Sequence, residues 1–303
     1  MCGLRIASDF PLSGLETYPH DEVGPDQVLI RRGPIHQQLA PAMAAFRNGE
    51  YVGRYDGREL LIDIPAAGRF LVRSGREIVV DPAPSSDDDE LSAWLLATAF
   101  TLLCHQRGIT PLHASAIDTA DGCAVFVGDS GDGKSTLIAA LAQRGYRVVC
   151  DDVCFLQPGP DGYVQVWPGL CRIRLWEDAK AALGYDSTGL KRETHGRNKY
   201  LIPVRPPENP TQPRRLHRVY ELRSTDNGAN AVTRLRGAAA VEVLMQNVFG
   251  RRGAEHMGYK PQAFFTCAAA AGEVEVFRFS RPLGFEFFEK GIDLLEHHLN
   301  DQS

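Results

Sequence analysis

The chain has 303 residues but only 4 Met and 3 Trp, and its 7 cysteines include no C-x-x-C pair. Cys2, Cys104, Cys123, Cys150, Cys154, Cys171 and Cys267 make an odd count without metal-site spacing, and no signal-peptide pattern opens the sequence. Reduced thiols and a cytoplasmic location are therefore the expectation. A long apolar run is also lacking. The most hydrophobic stretch, "LSAWLLATAFTLL", is about 13 residues long, short of the roughly 20 that cross a bilayer, so it reads as a buried helix and no membrane is expected. An excess of positive charge is missing: 33 Lys and Arg against 38 Asp and Glu leave a net charge of −5. This gives no general attraction to nucleic acid, and the Arg/Lys pairs are scattered along the chain. Two nucleotide-enzyme signatures are absent as well. No N/T-K-x-D guanine motif occurs ("RNKYL" has no aspartate in place) and no L-S-G-G-Q occurs, which disfavours a GTPase and an ABC-type motor.

With 44% hydrophobic and 23% charged residues, most of the chain should fold, as one large or two modest domains. Residues 1–84 contain short alternating runs, "ELLIDIP", "GRFLVRS" and "REIVVDP", between Gly and Pro, which predict a small β-rich N-terminal module. The stretch from Pro11 to Pro34 is rich in turn formers and reads as irregular. Residues 85–303 change texture and predict an α/β domain. "SSDDDE" is a helix start, placing a helix over about Asp87–Gln106. "ASAIDT" and "CAVFVG" predict two strands around "ADG", and "STLIAALAQRG" a helix ending at Gly145. "YRVVCDD" predicts a strand; Cys150 and Cys154 bracket the aspartate pair four residues apart and, alternating in a strand, would share one face as packing residues. Further strands are expected at "YVQVWPG", "YLIPV" and "RVYELR", and helices at "EDAKAAL", "AAAVEVLMQNVF" and "GFEFFEKGIDLLEHHL". "KRETHGRNK" and "RPPENPTQPRR" read as polar loops.

Gly128-Asp129-Ser130-Gly131-Asp132-Gly133-Lys134-Ser135 fits G-x-x-x-x-G-K-[ST] at every specified position. It follows the apolar strand "AVFV" and opens the helix beginning with Lys134, Ser135 and Thr136, the context that a P-loop requires. Glycines let backbone N–H groups turn around phosphate oxygens, and the helix N-terminus adds partial positive charge. Lys134 is expected to reach the β- and γ-phosphates and Ser135 to hold Mg²⁺, which makes ATP and Mg²⁺ the expected cofactors. The other reading of the loop is a glycine-rich turn that binds nothing. Asp129 and Asp132 should turn their carboxylates outward, away from an anion. Ser130 either contacts the γ-phosphate or the acceptor, or is simply small enough for a tight loop. Asp151 and Asp152 end the next strand, sixteen residues beyond Ser135. In a regular strand they face opposite sides, so one can serve the metal and the other can accept a proton. Alone, His113 in "PLHASAI" reads as a core histidine.

The run "PLHASAIDTADGCAVFVGDSGDGKSTLIAALAQRGYRVVCDDV" resembles the catalytic domain of HPr kinase/phosphorylase, a bacterial protein serine kinase. The resemblance covers about 45 residues and implies a P-loop kinase domain with a mixed sheet. It further implies that Asp151 is the catalytic base, that Asp152 and Ser135 belong to the Mg²⁺ shell, and that His113 neighbours the base. The family's later G-I-G-I-[IL]-[ND]-[VI] signature is absent, so the resemblance does not extend to implying phosphorylase activity or the HPr substrate. The N-terminal "CGLRIASDFPLSGL" and "GRFLVRSGREIVVDP" resemble compact HPr-kinase-like proteins of peptide-modifying systems, including kinases of lasso-peptide precursors. That looser match implies phosphate or acceptor contacts at Arg172, Arg174 and Lys199, a peptide or small-protein acceptor, and a homo-oligomer by analogy. The expected activity is serine-type hydroxyl phosphorylation. A non-catalytic nucleotide sensor and a small-molecule kinase are the alternatives.

Overall fold

Strand patterning and one capped helix account for the first part of the chain. The computed structural model describes residues 1–303 except 14, 16–25, 37–43, 50, 171, 187, 193–198, 227–228, 283 and 302–303. By contacts the chain divides into Met1–Pro111 with Val248–Phe264, and Leu112–Asn247 with Phe265–Ser303. The first unit thus runs on past residue 84 and also recruits a later segment.

Its seven-stranded sheet has the order Arg5–Ser8, Gln27–Arg32, Glu77–Pro82, Gly68–Arg73, Glu59–Ile64, Tyr51–Tyr55, Ala44–Asn48. The two pairings at the first edge are parallel and the rest antiparallel. The strand Gln27–Arg32 corrects the expectation of an irregular stretch there: Val28 and Ile30 alternate into the core, and the two terminal arginines had masked that period. The helix after "SSDD" begins as expected, with Asp87 accepting from the Glu90 amide at 2.8 Å. It is not uniform, because Asp88–Trp94 and Phe100–Gln106 flank a π-helical turn over Leu95–Ala99. The helix packs on the strand Gly68–Arg73, and Gln106 accepts from the Gly75 amide at 2.7 Å. The helix Arg251–His256, which the sequence reading did not anticipate, meets it at Gly253. A Cβ there would lie 2.5 Å from a Leu102 methyl, so glycine is what allows the approach.

In the second unit, "ADG" makes the expected hairpin between Ala114–Thr119 and Gly122–Val127. Arg147–Cys150 pairs antiparallel with Ala114–Thr119, so it runs parallel to Gly122–Val127 with that strand between them. On the other side of Gly122–Val127 lies the long strand Arg214–Thr225, in parallel, followed by Glu275–Pro282, again in parallel. Four parallel strands therefore present their C-terminal ends along one edge, the edge where ligands bind in open α/β sheets. The helices Lys134–Gln143 and Phe288–Asn300 bury Leu137, Leu141, Ile292 and Leu295 with Phe126, Tyr220 and Phe279 of the sheet. A small sheet of Arg172–Trp176, Lys199–Pro203 and Lys191–Arg192 adds Ile173, Leu175 and Ile202 to the same core. The helices Glu177–Ala182 and Ala238–Gln246 form where expected, whereas the strand Ala231–Leu235 and the helix Lys260–Glu273 were not foreseen. Cys171 and residues 193–198 of the expected polar loop lie outside the described residues. The remaining six cysteines are buried free thiols, and among the described residues no helix is long and apolar enough to cross a membrane.

Candidate functional site

Gly122–Val127 ends at Gly128, whose φ of 148° begins the glycine-rich loop, and Gly131 and Gly133 follow at 102° and 78°. The loop passes directly into the helix Lys134–Gln143, which no side chain caps at its N-terminus. Its first amides are thus directed at whatever lies in the loop. Asn247 fixes the entry to the loop, its side-chain oxygen accepting from the Gly128 amide at 3.0 Å. Lys134 is 6% exposed and folds over the loop, donating to the carbonyls of Gly128 at 2.8 Å and Asp129 at 3.0 Å. Burial lowers the pKa of its ammonium, against the opposing charges of Asp132, Asp151, Asp152 and Asp129. The two loop aspartates face outward. Asp129 pairs with Arg223 at 3.1 Å, and Asp132 accepts from the Asp129 amide at 2.8 Å, closing the outside of the loop. Ser130 is exposed, and Thr136 lies in the first turn of the helix.

The aspartate pair departs from the expected geometry. The strand stops at Cys150, so Asp151 and Asp152 belong to a bend and not to a regular strand; Cys154 starts the next strand. Asp152 adopts φ 75°, a left-handed conformation that costs a non-glycine residue roughly 1 kcal/mol or more. This twist sends the two carboxylates into different surroundings. Asp151 is 6% exposed; its Oδ1 accepts from Ser115 Oγ at 2.6 Å and Ser135 Oγ at 3.1 Å, and its Oδ2 from the Arg174 amide at 3.2 Å. Burial raises its pKa, partly offset by the Ser115 hydrogen bond. The Asp152 side chain is 29% exposed and pairs with the Arg174 guanidinium at 2.9 Å. His113 Nδ1 lies 3.2 Å from the Asp152 carbonyl and 3.7 Å from its Oδ1, which assigns Nδ1 as the protonated nitrogen. Burial pushes the Asp152 carboxyl up, but Arg174, His113 and Lys199 together outweigh it and hold it below the ordinary value. For His113 itself, burial and the neighbouring Lys134 favour the neutral ring.

No protein-family model matches the chain, and no curated protein matches it. Among solved structures it is similar to the Hpr(Ser) kinase/phosphatase from Coxiella burnetii, at 14% identity over 62% of this chain and 96% of that one, with a TM-score of 0.30.

The sequence-predicted residues His113, Lys134, Ser135, Asp151, Asp152 and Arg174 meet in one place. Lys199 acts on it electrostatically and stacks over the Trp176 ring at 5.0 Å. Arg172 lies on the same face of its strand as Arg174, two residues away. Sequence reading missed Ser115, Asn247, Arg223 and Arg281. Ser115 alone carried a signal, being two residues beyond His113, which lies in the bend just before the strand Ala114–Thr119 that holds Ser115. As for a cation, Ser135 Oγ and Asp151 Oδ1 are hard oxygen donors 3.1 Å apart, a donor set that suits Mg²⁺ bound chiefly through phosphates.

Proposed function

We propose that the chain is an ATP- and Mg²⁺-dependent kinase that phosphorylates a serine-type hydroxyl of a peptide or small protein. The observation that carries this reading is the contact between Ser135, at the head of the loop helix, and Asp151, at the end of the parallel strand two positions away, with Lys134 folded onto the loop carbonyls of Gly128 and Asp129. A turn that bound nothing would not need a buried lysine held on its own carbonyls. The loop amides and Lys134 would hold the triphosphate, and Ser135 with Asp151 would hold Mg²⁺. When bound, that ion neutralises charge across the β- and γ-phosphates.

Reach decides which aspartate serves as base. Asp151 is 6% exposed and committed to two hydroxyls, whereas the Asp152 side chain is 29% exposed and faces His113 and Arg174. In this reading Asp152 takes the proton of the acceptor hydroxyl, the oxygen bonds to the γ-phosphorus, and the bond to ADP breaks. His113 orients Asp152, and Arg174 fixes its carboxylate. These assignments exchange the two aspartate roles that the resemblance implies. Mass spectrometry of serine peptides, lasso-peptide precursors among them, after incubation with the protein and Mg-ATP tests the proposal. The expected result is the added mass of one phosphate on a hydroxyl side chain. Tight nucleotide binding without transfer to any acceptor would instead support a sensor.

A further inference from the structure

Arg281 lies near the C-terminal end of Glu275–Pro282, the outermost of the four parallel strands that end at the loop edge. Its Nη2 donates to the Asp132 carbonyl at 2.7 Å. A Cβ built on Gly133 would fall 2.3 Å from the same nitrogen, so the guanidinium is packed against the last glycine before Lys134. Its carbon lies 5.3 Å from the centroid of the Phe288 ring. Among the described residues no carboxylate lies within ion-pair distance of it, and burial lowers its pKa while Asp132 opposes this. A half-buried cation is thus held beside the head of an uncapped helix without a counter-ion.

The planar peptide gives this contact a consequence. The carbonyl of Asp132 and the N–H of Gly133 belong to one rigid unit and point in opposite directions. Arg281 fixes the carbonyl on its own side, and the Gly133 N–H is thereby directed away from the guanidinium. We infer that Arg281 is a positioning residue for nucleotide phosphate, orienting the Asp132–Gly133 peptide and adding its charge to the anion site. The inference rests on the loop being a nucleotide site, and it assigns a role in that site to a residue 149 positions away in the chain.

Calorimetric titration of the full chain with Mg-ATP and Mg-ADP tests it. Losing the cation beside the anion site and the anchor of the Asp132–Gly133 peptide should weaken binding about 10-fold in Arg281→Met. Arg281→Lys, which retains charge and a donor for the one carbonyl, should recover most of that loss. Phe288→Leu removes the ring beneath the guanidinium but leaves the carbonyl contact of Arg281, so it should weaken nucleotide binding less than Arg281→Met does. Should Arg281→Met fail to fold by circular dichroism, Arg281→Gln is read in its place against the same fold-change. Affinity in Arg281→Met equal to that of the parent chain overturns the inference, as does a lysine variant no better than the methionine one. If Lys134→Ala loses binding while Arg281→Met keeps it, only the role of Arg281 falls. If the parent chain binds neither nucleotide, the nucleotide site falls with it.

Discussion

Asp151 and Asp152 are adjacent, yet burial raises the pKa of the first while Arg174, His113 and Lys199, outweighing burial, lower that of the second. The difference separates their roles by measurement. With Asp152 as base, the acid limb of kcat/KM should lie below the range of an ordinary aspartate; with Asp151 as base it would lie above. Asp152→Asn should lower phosphoryl transfer about 10²–10⁴-fold at an unchanged Mg²⁺ requirement, whereas Asp151→Asn should raise the Mg²⁺ needed, with part of its loss restored at high Mg²⁺. A stability effect follows from the same burial. Because the folded-state pKa of Asp151 is raised, its contribution is full below the unfolded value and is lost as pH rises through the folded value. Relative to Asp151→Asn, the parent chain should therefore lose stability from the ordinary carboxylate range upward. Urea midpoints of both proteins across pH check this, and parallel curves would contradict it.

At the scale of elements, the last helix is tied to the sheet by Arg218, which is 4% exposed. It donates to the carbonyls of His298 at 2.6 Å and Asp301 at 2.9 Å, closing the C-terminal end of Phe288–Asn300. Arg144, at the end of the loop helix, reaches Glu289, Asp293 and Glu296 of the same last helix. Arg218→Met should cost about 2 kcal/mol of unfolding free energy, since it leaves the helix-end carbonyls of His298, Leu299 and Asp301 without their charged donor. Arg144→Met should cost less, because two of its three partners, Glu289 and Asp293, are mostly exposed. Chemical denaturation of the two variants gives the comparison.

The elements also mark what sequence could reveal. The glycine-rich loop is legible because its signal is local: an apolar strand, a fixed spacing and a helix. The aspartate pair is legible as residues but not as geometry, because nothing in "VVCDDVC" announces that Asp152 turns left-handed. Asn247 and Arg281 reach the loop from 119 and 149 positions away, a proximity made by sheet order. The helix Lys260–Glu273 hid behind a run of alanines, strong helix formers that lack the apolar stripe by which helices are recognised.

For the whole molecule, the chain leaves the first unit after Pro111 and returns to it at Val248, so a cut after residue 84 does not follow a structural boundary. It would remove all seven strands of the first sheet and leave the helix Asp88–Gln106 without the strand Gly68–Arg73 on which it packs. Leu91, Leu95 and Phe100, all at most 1% exposed, sit on that helix. A fragment of residues 85–303 should aggregate, as read by size-exclusion chromatography, and a monodisperse fragment would contradict the division. The central claim, that the glycine-rich loop of the second unit holds a nucleoside triphosphate for transfer, is tested most directly by calorimetric titration of the full chain and of Lys134→Ala with Mg-ATP. Removing a buried ammonium that would meet the phosphates should weaken binding at least about 10-fold; because the same change takes the donor from the Gly128 and Asp129 carbonyls, the titrations are compared at a temperature where circular dichroism shows both proteins folded. Equal affinity in two equally folded proteins, or no binding by the parent chain, would contradict it.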